Sequence, residues 1–180
     1  MTNDIVLPWQ PVQIAGVEIL TSITDAEAGR LTELAAGRTV LEVGSAYGYS
    51  AIVMGLVASL VVAVDPHAGE LPNSLPRMIE NLDLTGVSTR VVVLTERSQE
   101  CLPGLLEDET RFDLVFVDGD HSKDACLEDL RNGWELLREG GTLAVHDWGE
   151  VSCPGVAEAI GEVGWTPDQV TDTLAEFWKP

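Results

Sequence analysis

Two short groups of ionisable side chains follow apolar runs in the second half of the chain. Asp118, Asp120 and His121 come directly after Phe-Asp-Leu-Val-Phe-Val, and His146 and Asp147 follow Thr-Leu-Ala-Val. Two carboxylates and an imidazole, here Asp118, Asp147 and His146, suit a divalent cation such as Mg²⁺, Mn²⁺ or Fe²⁺. They can meet only if the two apolar runs are neighbouring strands. Otherwise the two aspartates are turn or capping residues, and His146 is a partly buried side chain.

A glycine turn joins a short apolar run to an apolar helix near the middle of the first half. Glu42, Gly44 and Gly48 give the spacing Glu-x-Gly-x-x-x-Gly, which differs from the Gly-x-Gly-x-x-Gly that holds a pyrophosphate at a helix N-terminus. The carboxylate of Glu42 would repel phosphates but could attract an ammonium or a hydroxyl group. The pattern therefore favours S-adenosylmethionine over NAD as the ligand.

Asp65 ends the next β-branched run, about 17 residues after Gly48. An acidic side chain at the tip of the second strand is where a ribose diol is commonly held by two hydrogen bonds. The alternative is a capping aspartate, because Asp-Pro often opens a turn or a helix. The preceding glycine turn, at the right distance, favours the ribose interpretation.

These side chains need strands that end on one edge of a sheet. Strand-like runs alternate with helical patterns, which predicts a mostly parallel sheet covered by helices on both faces. The predicted strands are residues 40–43, 60–64, 90–94, 112–117, 142–145 and 171–178. The predicted helices are 24–36, 51–56, 76–84, 98–106 (interrupted at Pro103 and Gly104), 124–137 and 155–163. Ligands bind at the carboxyl ends of such strands, where all the candidate residues lie.

Composition narrows the choice of partners and compartment. The 180 residues include 30 acidic and 10 basic side chains, a net charge of −20. Because affinity for nucleic acids and anionic membranes comes mainly from Lys and Arg, both partners are disfavoured. The three cysteines form no Cys-x-x-Cys motif, and no signal-peptide pattern or membrane span is visible, so we expect a cytoplasmic protein. We predict an irregular segment over 1–22 and one domain over 23–180.

Four sequence motifs together resemble class I S-adenosylmethionine-dependent methyltransferases, in particular the small-molecule O-methyltransferases of the catechol type and their bacterial macrocin-type relatives. The motifs lie at residues 40–51, at 98–100, at 116–122 and from 137 through 148. The resemblance implies a Rossmann-like sheet of about seven strands whose last strand is antiparallel. It also implies methyl transfer to a hydroxyl group of a small molecule.

The resemblance also implies roles for individual residues. The methionine end of the cofactor would contact Glu42, Gly44, Ser45, Gly48 and Ser50. Asp65 would hold the ribose, Ser98 and Gln99 the adenine, and Asp118 both cofactor and metal. Asp118, His146 and Asp147 would form the metal site, with Asp118, His121 and His146 as the catalytic residues.

The chain departs from the catechol-type pattern in two places. That pattern has Asp-Asn where this chain has His146 and Asp147, so the metal and its identity stay open. The catechol-type lysine base lies three residues after the metal aspartate, whereas Lys123 lies five after Asp118. The acceptor pocket is either open or completed by a second subunit in a homodimer. Two alternatives remain: a metal-independent reaction with His121 or His146 as base, and a cofactor-binding protein without catalysis.

Overall fold

The computed structural model describes residues 9–68 and 71–180, which form one large sheet with helices on both faces and a separate hairpin. The strands are β1 (Gln10–Ile14), β2 (Val17–Thr21), β3 (Thr39–Val43), β4 (Leu60–Val64), β5 (Val91–Leu94), β6 (Phe112–Val117), β7 (Leu137–Val145), β8 (Gln169–Thr171) and β9 (Leu174–Trp178). The helices are α1 (Asp25–Ala35), α2 (Tyr49–Gly55), α3 (Ser74–Leu84), α4 (Ser98–Glu107), α5 (Lys123–Leu136) and α6 (Pro154–Val163).

The large sheet has seven strands in the order β5-β4-β3-β6-β7-β9-β8. The five strands from β5 to β7 are parallel, and β9 runs antiparallel to both β7 and β8. The chain reverses direction across the sheet at β3, because β4 lies on one side of it and β6 on the other. Such a reversal opens a crevice at the carboxyl ends of the central strands. The predicted fold class is confirmed.

Alternation along the strands divides the core into two layers. Val40 of β3 packs with Leu31 of α1 and Ile52 of α2 on one face. Leu41, the next residue of β3, packs with Leu130 of α5 on the other face. Because successive strand residues point to opposite faces, a run such as Val-Leu-Glu-Val needs apolar cover on both sides. The helices supply that cover, as the sequence predicts.

The segment before the domain is not irregular throughout. Residues 10–21 form the antiparallel hairpin of β1 and β2, with Ile14 paired to Val17. Ala15 and Gly16, the two turn residues, both have positive φ (51° and 83°), as two-residue hairpin turns require. The prediction overlooked this because Pro11 argues against a strand, but Pro is tolerated on an edge strand. Residues 1–8 lie outside the described part.

Three other element boundaries differ from the prediction. Pro103 does not interrupt α4, which continues to Glu107. Helix α5 ends at Leu136, and β7 begins at once with Leu137 rather than at Thr142. A turn splits the predicted last strand into β8 and β9. Among residues 9–68 and 71–180, no helix is both long and apolar enough to cross a membrane.

Candidate active site

A cavity of about 890 Å³ opens at the carboxyl ends of β3, β4, β6 and β7. This volume is within the range of small-molecule sites. The sequence-predicted residues that line it are Gly44, Ser45, Ser50, Asp65, Ser98, Gln99, Asp118, His121, His146 and Asp147. The strand-end argument therefore brings most of the candidate residues to one cavity.

Backbone hydrogen bonds continue beyond the strand ends and hold the floor of this cavity. Gly44 N–H donates to Val64 O at 2.9 Å, and Asp118 N–H donates to Val43 O at 2.8 Å. His146 N–H donates in the same way to Val117 O at 3.0 Å. The first residues after three neighbouring strands are thus fixed side by side.

The turn after β3 requires glycine at two positions. Gly44 has φ of +87°, and a Cβ placed on it would overlap the backbone of Asp118 and Gly119. Gly48, at the N-terminus of α2, has φ of +85°, and its Cβ would lie 2.9 Å from Cγ of Met78. The first glycine lets the β3 turn approach the β6 turn, and the second lets α2 start close to α3. Gly48 shapes the site without lining it.

Asp65 reaches back to the glycine turn. Its Oδ2 accepts hydrogen bonds from the N–H groups of Ser45 (2.9 Å) and Ala46 (2.8 Å), and its Oδ1 accepts one from His67 N–H at 2.7 Å. The carboxylate therefore organises both turns around it as well as lining the cavity. Oδ2 already accepts two hydrogen bonds, whereas Oδ1 accepts one and keeps a lone pair for a ligand hydroxyl group.

Glu42 lies beneath the cavity rather than in its wall. Its side chain is fully buried in β3, and neither carboxylate oxygen has a hydrogen-bond partner among the described residues. Burial raises the pKa of Glu42 to about 8; the nearby Ser50 side chain opposes this rise, and the Asp118 and Asp65 carboxylates add to it. A carboxyl group that is neutral at pH 7 does not attract an ammonium by charge, so contact between Glu42 and the cofactor stays a prediction.

Asp118, His146 and Asp147 meet at the inner edge of the cavity, as the sequence predicts. Nδ1 of His146 lies 3.3 Å from Asp118 Oδ1 and 3.3 Å from Asp147 Oδ2. Asp147 has a positive φ of 59°, a strained conformation for a residue with a side chain. Adjacent residues of a regular strand point to opposite faces. This bend after β7 lets His146 and Asp147 face the same point.

His121 approaches the same carboxylates from the β6–α5 loop. Its Nε2 lies 3.0 Å from Asp147 Oδ2 and 3.6 Å from Asp118 Oδ1. Its Nδ1 lies 3.5 Å from Sγ of Cys153, a buried thiol just before α6. Lys123 is elsewhere: its Nζ pairs with Glu162 Oε2 at 2.6 Å on the surface. The structure thus brings His121, not Lys123, to the acidic cluster.

Glu27 is the site residue that the sequence did not reveal. The sequence Thr24-Asp25-Ala26-Glu27 has the capping-box pattern, and Thr24 and Glu27 form that box at the start of α1. The Glu27 carboxylate also crosses to the sheet. Its Oε2 lies 3.2 Å from His146 Nε2, and its Oε1 accepts from N and Oγ1 of Thr173 at 2.9 and 2.8 Å. The capping box was its one sequence signal. Nothing in that pattern points to contacts with Thr173 or His146.

Charges in this cluster shift the pKa values of its members strongly. Burial works against charge on the His146 ring, but the carboxylates of Asp118, Asp147 and Glu27 outweigh it and raise the pKa of His146 well above its ordinary value. The Asp118 and Asp147 carboxylates raise the pKa of His121 to about 10. Burial opposes ionisation of Asp147, yet the two histidines hold its pKa below the usual range. The cluster thus has the electrostatics of a cation site.

Comparison with known proteins settles the family. A family model described as "Methyltransferase domain" matches residues 41–148, more than half of the chain. The chain belongs to this methyltransferase family. The match runs from β3, through the glycine turn, Asp65 and Asp118, to the residue after Asp147. The family resemblance inferred from the sequence is confirmed.

Named relatives and solved structures agree with this assignment. Catechol O-methyltransferase of Sus scrofa is 32% identical over 133 residues, covering 69% of this chain and 66% of the relative. The catechol O-methyltransferase of Niastella koreensis is 29% identical over 124 residues, covering 65% of this chain and 52% of the relative. The chain therefore spans roughly half to two thirds of the length of these relatives.

Solved structures of lower identity show the same fold as this methyltransferase domain. The O-methyltransferase TomG of Streptomyces achromogenes, in complex with SAM, aligns with a TM-score of 0.69 at 21% identity, covering 88% of this chain and 82% of that chain. An O-methyltransferase of Bacillus cereus, in complex with SAH, aligns with a TM-score of 0.67 at 20% identity, covering 81% of this chain and 71% of that chain.

Proposed function

We propose that this protein transfers a methyl group from S-adenosylmethionine to a hydroxyl group of a small molecule. The observation that carries the proposal is the meeting of Asp118, His146 and Asp147 at the inner edge of the cavity. Family membership supports methyl transfer, and the catechol O-methyltransferases among the relatives support an oxygen acceptor. The acidic cluster supplies the means of activating such an acceptor.

The cavity lining indicates how the cofactor would lie. The ribose would bind at Asp65, whose Oδ1 retains a free lone pair. The adenine would lie towards Ser98 and Gln99 at the start of α4, and the methionine end towards the glycine turn. This orientation would direct the sulfonium methyl group to the Asp118 edge. The chain would then mainly align acceptor oxygen, methyl carbon and sulfur, which is a positioning task.

The cluster residues fit a divalent cation. Asp118, His146 and Asp147 each offer one donor atom within 4.8 Å of the others, and Nδ1 of His146 is a buried atom without a hydrogen-bond partner in the described residues. A carboxylate–carboxylate–imidazole set is a common ligand group for such ions. When bound there, the cation would lower the pKa of a coordinated acceptor hydroxyl. Glu27 would keep the His146 ring turned towards the cluster.

The charge of the cavity indicates the class of acceptor. Its acidic side chains are Glu27, Asp65, Asp118, Asp120, Asp147 and Glu150. Arg97 is the one guanidinium among the described lining residues, and the two histidines whose pKa values are raised, His121 and His146, add positive charge, so the six carboxylates still exceed these three cations. Carboxylates of this number repel an anionic substrate and favour the cationic cofactor. The acceptor is therefore an uncharged or cationic hydroxyl compound, such as a phenol or a sugar, rather than an acid or a phosphate ester.

A second mechanism for the same reaction needs no metal. His121 Nε2 lies 3.0 Å from Asp147 Oδ2, and a carboxylate beside an imidazole is the usual arrangement of a histidine base. In this mechanism His121 takes the acceptor proton directly, and because its pKa is raised to about 10, turnover should rise with pH towards that value. Turnover that is undiminished after chelation would favour it over activation by a cation.

Two measurements test the proposal. Calorimetric titration with S-adenosylhomocysteine tests cofactor binding. Turnover is tested by incubating the protein with S-adenosylmethionine and a panel of phenols and sugars and measuring the S-adenosylhomocysteine that forms. Asp118→Asn and Asp147→Asn should bind the cofactor but lose roughly 100-fold or more in turnover. Asp124→Asn, an exposed residue of α5 outside the cavity, is the matched control. Full turnover in both cluster variants, or no cofactor binding at all, would contradict the proposal.

A further inference from the structure

One buried carboxyl group of the domain has no role in the site described above. Asp129 is 1% exposed and lies on the apolar face of α5, among buried residues such as Cys126 and Leu130. Its Oδ1 is a buried atom without a hydrogen-bond partner in residues 9–68 and 71–180. Aspartates are rarely buried so completely unless they are paired, because removing a charge from water is costly. Packing alone does not account for a carboxyl group at this position.

Asp129 lies behind two segments that line the cavity. A Cβ placed on Gly119, in the turn after β6, would lie 3.5 Å from Asp129 Oδ2. The Ser98 side chain, at the start of α4, hydrogen-bonds to the Asp129 carboxyl group. Ser98 and Gly119 both line the cavity, whereas Asp129 is not among its lining residues. Asp129 therefore acts on a ligand through these neighbours rather than by direct contact.

The carboxylate fixes the direction of the Ser98 hydroxyl group. A serine hydroxyl has one proton to donate and two lone pairs that accept. An ionised carboxylate can only accept, so the hydroxyl proton of Ser98 is directed to Asp129. Because Ser98 is only 8% exposed, little water competes for that proton. The Ser98 oxygen then has only lone pairs left for a ligand, so it can accept but not donate a hydrogen bond in the cavity.

This direction matters for the purine base of the cofactor. Adenine carries a 6-amino group, which donates hydrogen bonds, whereas hypoxanthine carries a 6-oxo group, which only accepts. We propose that Asp129 is a positioning residue that holds the Ser98 hydroxyl group as an acceptor for the 6-amino group, so that the site discriminates against 6-oxo purines. A site built to hydrogen-bond one group strongly rejects an analogue that leaves its own polar group unpaired. The inference rests on the proposed function, in which the adenine lies towards Ser98 and Gln99.

Ionisation of Asp129 makes this discrimination depend on pH. Burial raises the pKa of Asp129 to about 6; the Ser98 side chain of α4 opposes this rise, and the carboxylates of Glu128 and Asp120 add to it. The Cys126 thiol, one turn earlier on α5, stays protonated because its pKa is raised to about 12. Below pH 6 the protonated carboxyl group can donate to Ser98, which frees the hydroxyl proton for the ligand. Discrimination between the two purines should therefore decrease as pH falls below 6.

Calorimetric titration of the full chain with S-adenosylhomocysteine and its 6-oxo analogue, S-inosylhomocysteine, tests the proposal. At pH 7 the parent should bind S-adenosylhomocysteine roughly tenfold or more tightly than the analogue. Asp129→Leu and Ser98→Ala should lower this ratio of affinities to about threefold or less. Asp129→Asn, whose amide oxygen still accepts from Ser98, should keep the ratio at pH 7 and at pH 5, where the parent loses it. Asp124→Asn, an exposed residue of the same helix, is the matched control.

The ratio separates this role from a purely structural one, because a loss of packing would weaken both ligands alike. An unchanged ratio in Asp129→Leu overturns the inference, as does equal binding of the two ligands by the parent, although S-adenosylhomocysteine would still bind as the proposed function requires. An equal change in Asp124→Asn also overturns it. Binding of neither ligand by the parent refutes the proposed function, and this inference with it. Thermal denaturation checks folding; if Asp129→Leu does not fold, Ser98→Ala and the comparison of the parent with Asp129→Asn at pH 5 decide.

Discussion

A buried ion pair between α1 and β9 allows a quantitative test of what holds the domain together. Arg30 Nε donates to Glu176 Oε1 at 2.7 Å, and Arg30 Nη2 donates to Glu176 Oε2 at 2.8 Å. The Glu176 side chain is 0% exposed and that of Arg30 is 22% exposed. Arg30 also pairs with Glu33, but that side chain is 69% exposed. The two carboxylates on one guanidinium thus differ sharply in burial.

Replacing Arg30 with Met should be costly because it leaves Glu176 buried without its partner. Breaking a buried pair in this way typically costs about 3–5 kcal/mol. For a chain of this length, each kcal/mol lowers the melting temperature by roughly 2–4 °C, so a loss of about 10 °C is expected. Replacing both partners with apolar residues, Arg30→Met with Glu176→Leu, should recover most of the loss. Glu33→Gln, the surface control, should cost about 0.5 kcal/mol or less.

Urea denaturation at pH 7 measures these changes. The parent, the two single variants Arg30→Met and Glu176→Leu, and the double variant together give the coupling free energy between Arg30 and Glu176. The reasoning is refuted if Arg30→Met loses less than about 1 kcal/mol, since that is the value of an exposed pair. It is equally refuted if the double variant is as unstable as the single one. In that case the loss would come from packing of the arginine stem rather than from the unpaired charge.

Three further variants test other parts of the site. Gly44→Ala should lower the melting temperature and weaken S-adenosylhomocysteine binding by roughly tenfold or more. A positive φ alone costs a residue with a side chain about 1–3 kcal/mol, and the new Cβ would overlap the Asp118 backbone. An unchanged affinity in calorimetry would count against this explanation. Burial raises the pKa of Glu42 from 4.5 to about 8, so between these pH values Glu42 is protonated in the folded state and ionised in the unfolded state. The free energy of unfolding should therefore fall as pH rises through this range, by about 5 kcal/mol at most. Melting curves from pH 5 to 9 should show a shallower slope in Glu42→Gln than in the parent, and the slope that remains comes from groups such as His121 and His146, whose pKa values are also raised. Burial opposes ionisation of Glu27, but hydrogen bonds from His146, Thr24 and Thr173 lower its pKa from 4.5 to about 2. The carboxylate therefore contributes about 3 kcal/mol to the free energy of unfolding above pH 4.5, and this contribution is lost as pH falls towards 2. Urea denaturation of Glu27→Gln should therefore show a deficit at pH 7 that shrinks at pH 3; a constant deficit would show that the carboxylate charge is not responsible.

Much of the site was predictable because strand ends in a parallel sheet share one edge. The sequence places Gly44, Asp65, Asp118 and His146 directly after apolar runs, and ladder bonds at those ends bring all four into register. Spacing and glycine chemistry suffice for this step, since both act through the local backbone. The prediction of Asp118, His146 and Asp147 as one cluster is confirmed as geometry. Whether they hold a metal stays a prediction.

Long-range contacts explain what the sequence did not show. Glu27 was recognisable as a cap because a capping box spans three residues. Its contacts with Thr173 and His146 cross 146 and 119 residues of chain, and no local pattern encodes them. Cys153 belongs to no Cys-x-x-Cys motif, and its contact with His121 crosses 32 residues of chain, so no local pattern reveals it either. The bend at Asp147, with its positive φ, is likewise invisible in the residue type.

Helix α1 links the stability of the domain to the orientation of His146. Glu27 and Arg30 lie on one face of the helix, three residues apart, and they contact Thr173 and Glu176, which have the same spacing along the β9 side. Loss of the Arg30–Glu176 pair should therefore loosen the Glu27 carboxylate, and with it the ring that faces the acidic cluster. We expect Arg30→Met to weaken divalent-cation binding by a few-fold. Glu27→Gln removes the contact behind the His146 ring itself and should weaken that binding by roughly 10–100-fold. Calorimetry on both variants, with Glu33→Gln as the control, measures the difference. Full metal affinity in Arg30→Met alongside its lower stability would show that the capping box and Thr173 hold Glu27 without help from the ion pair.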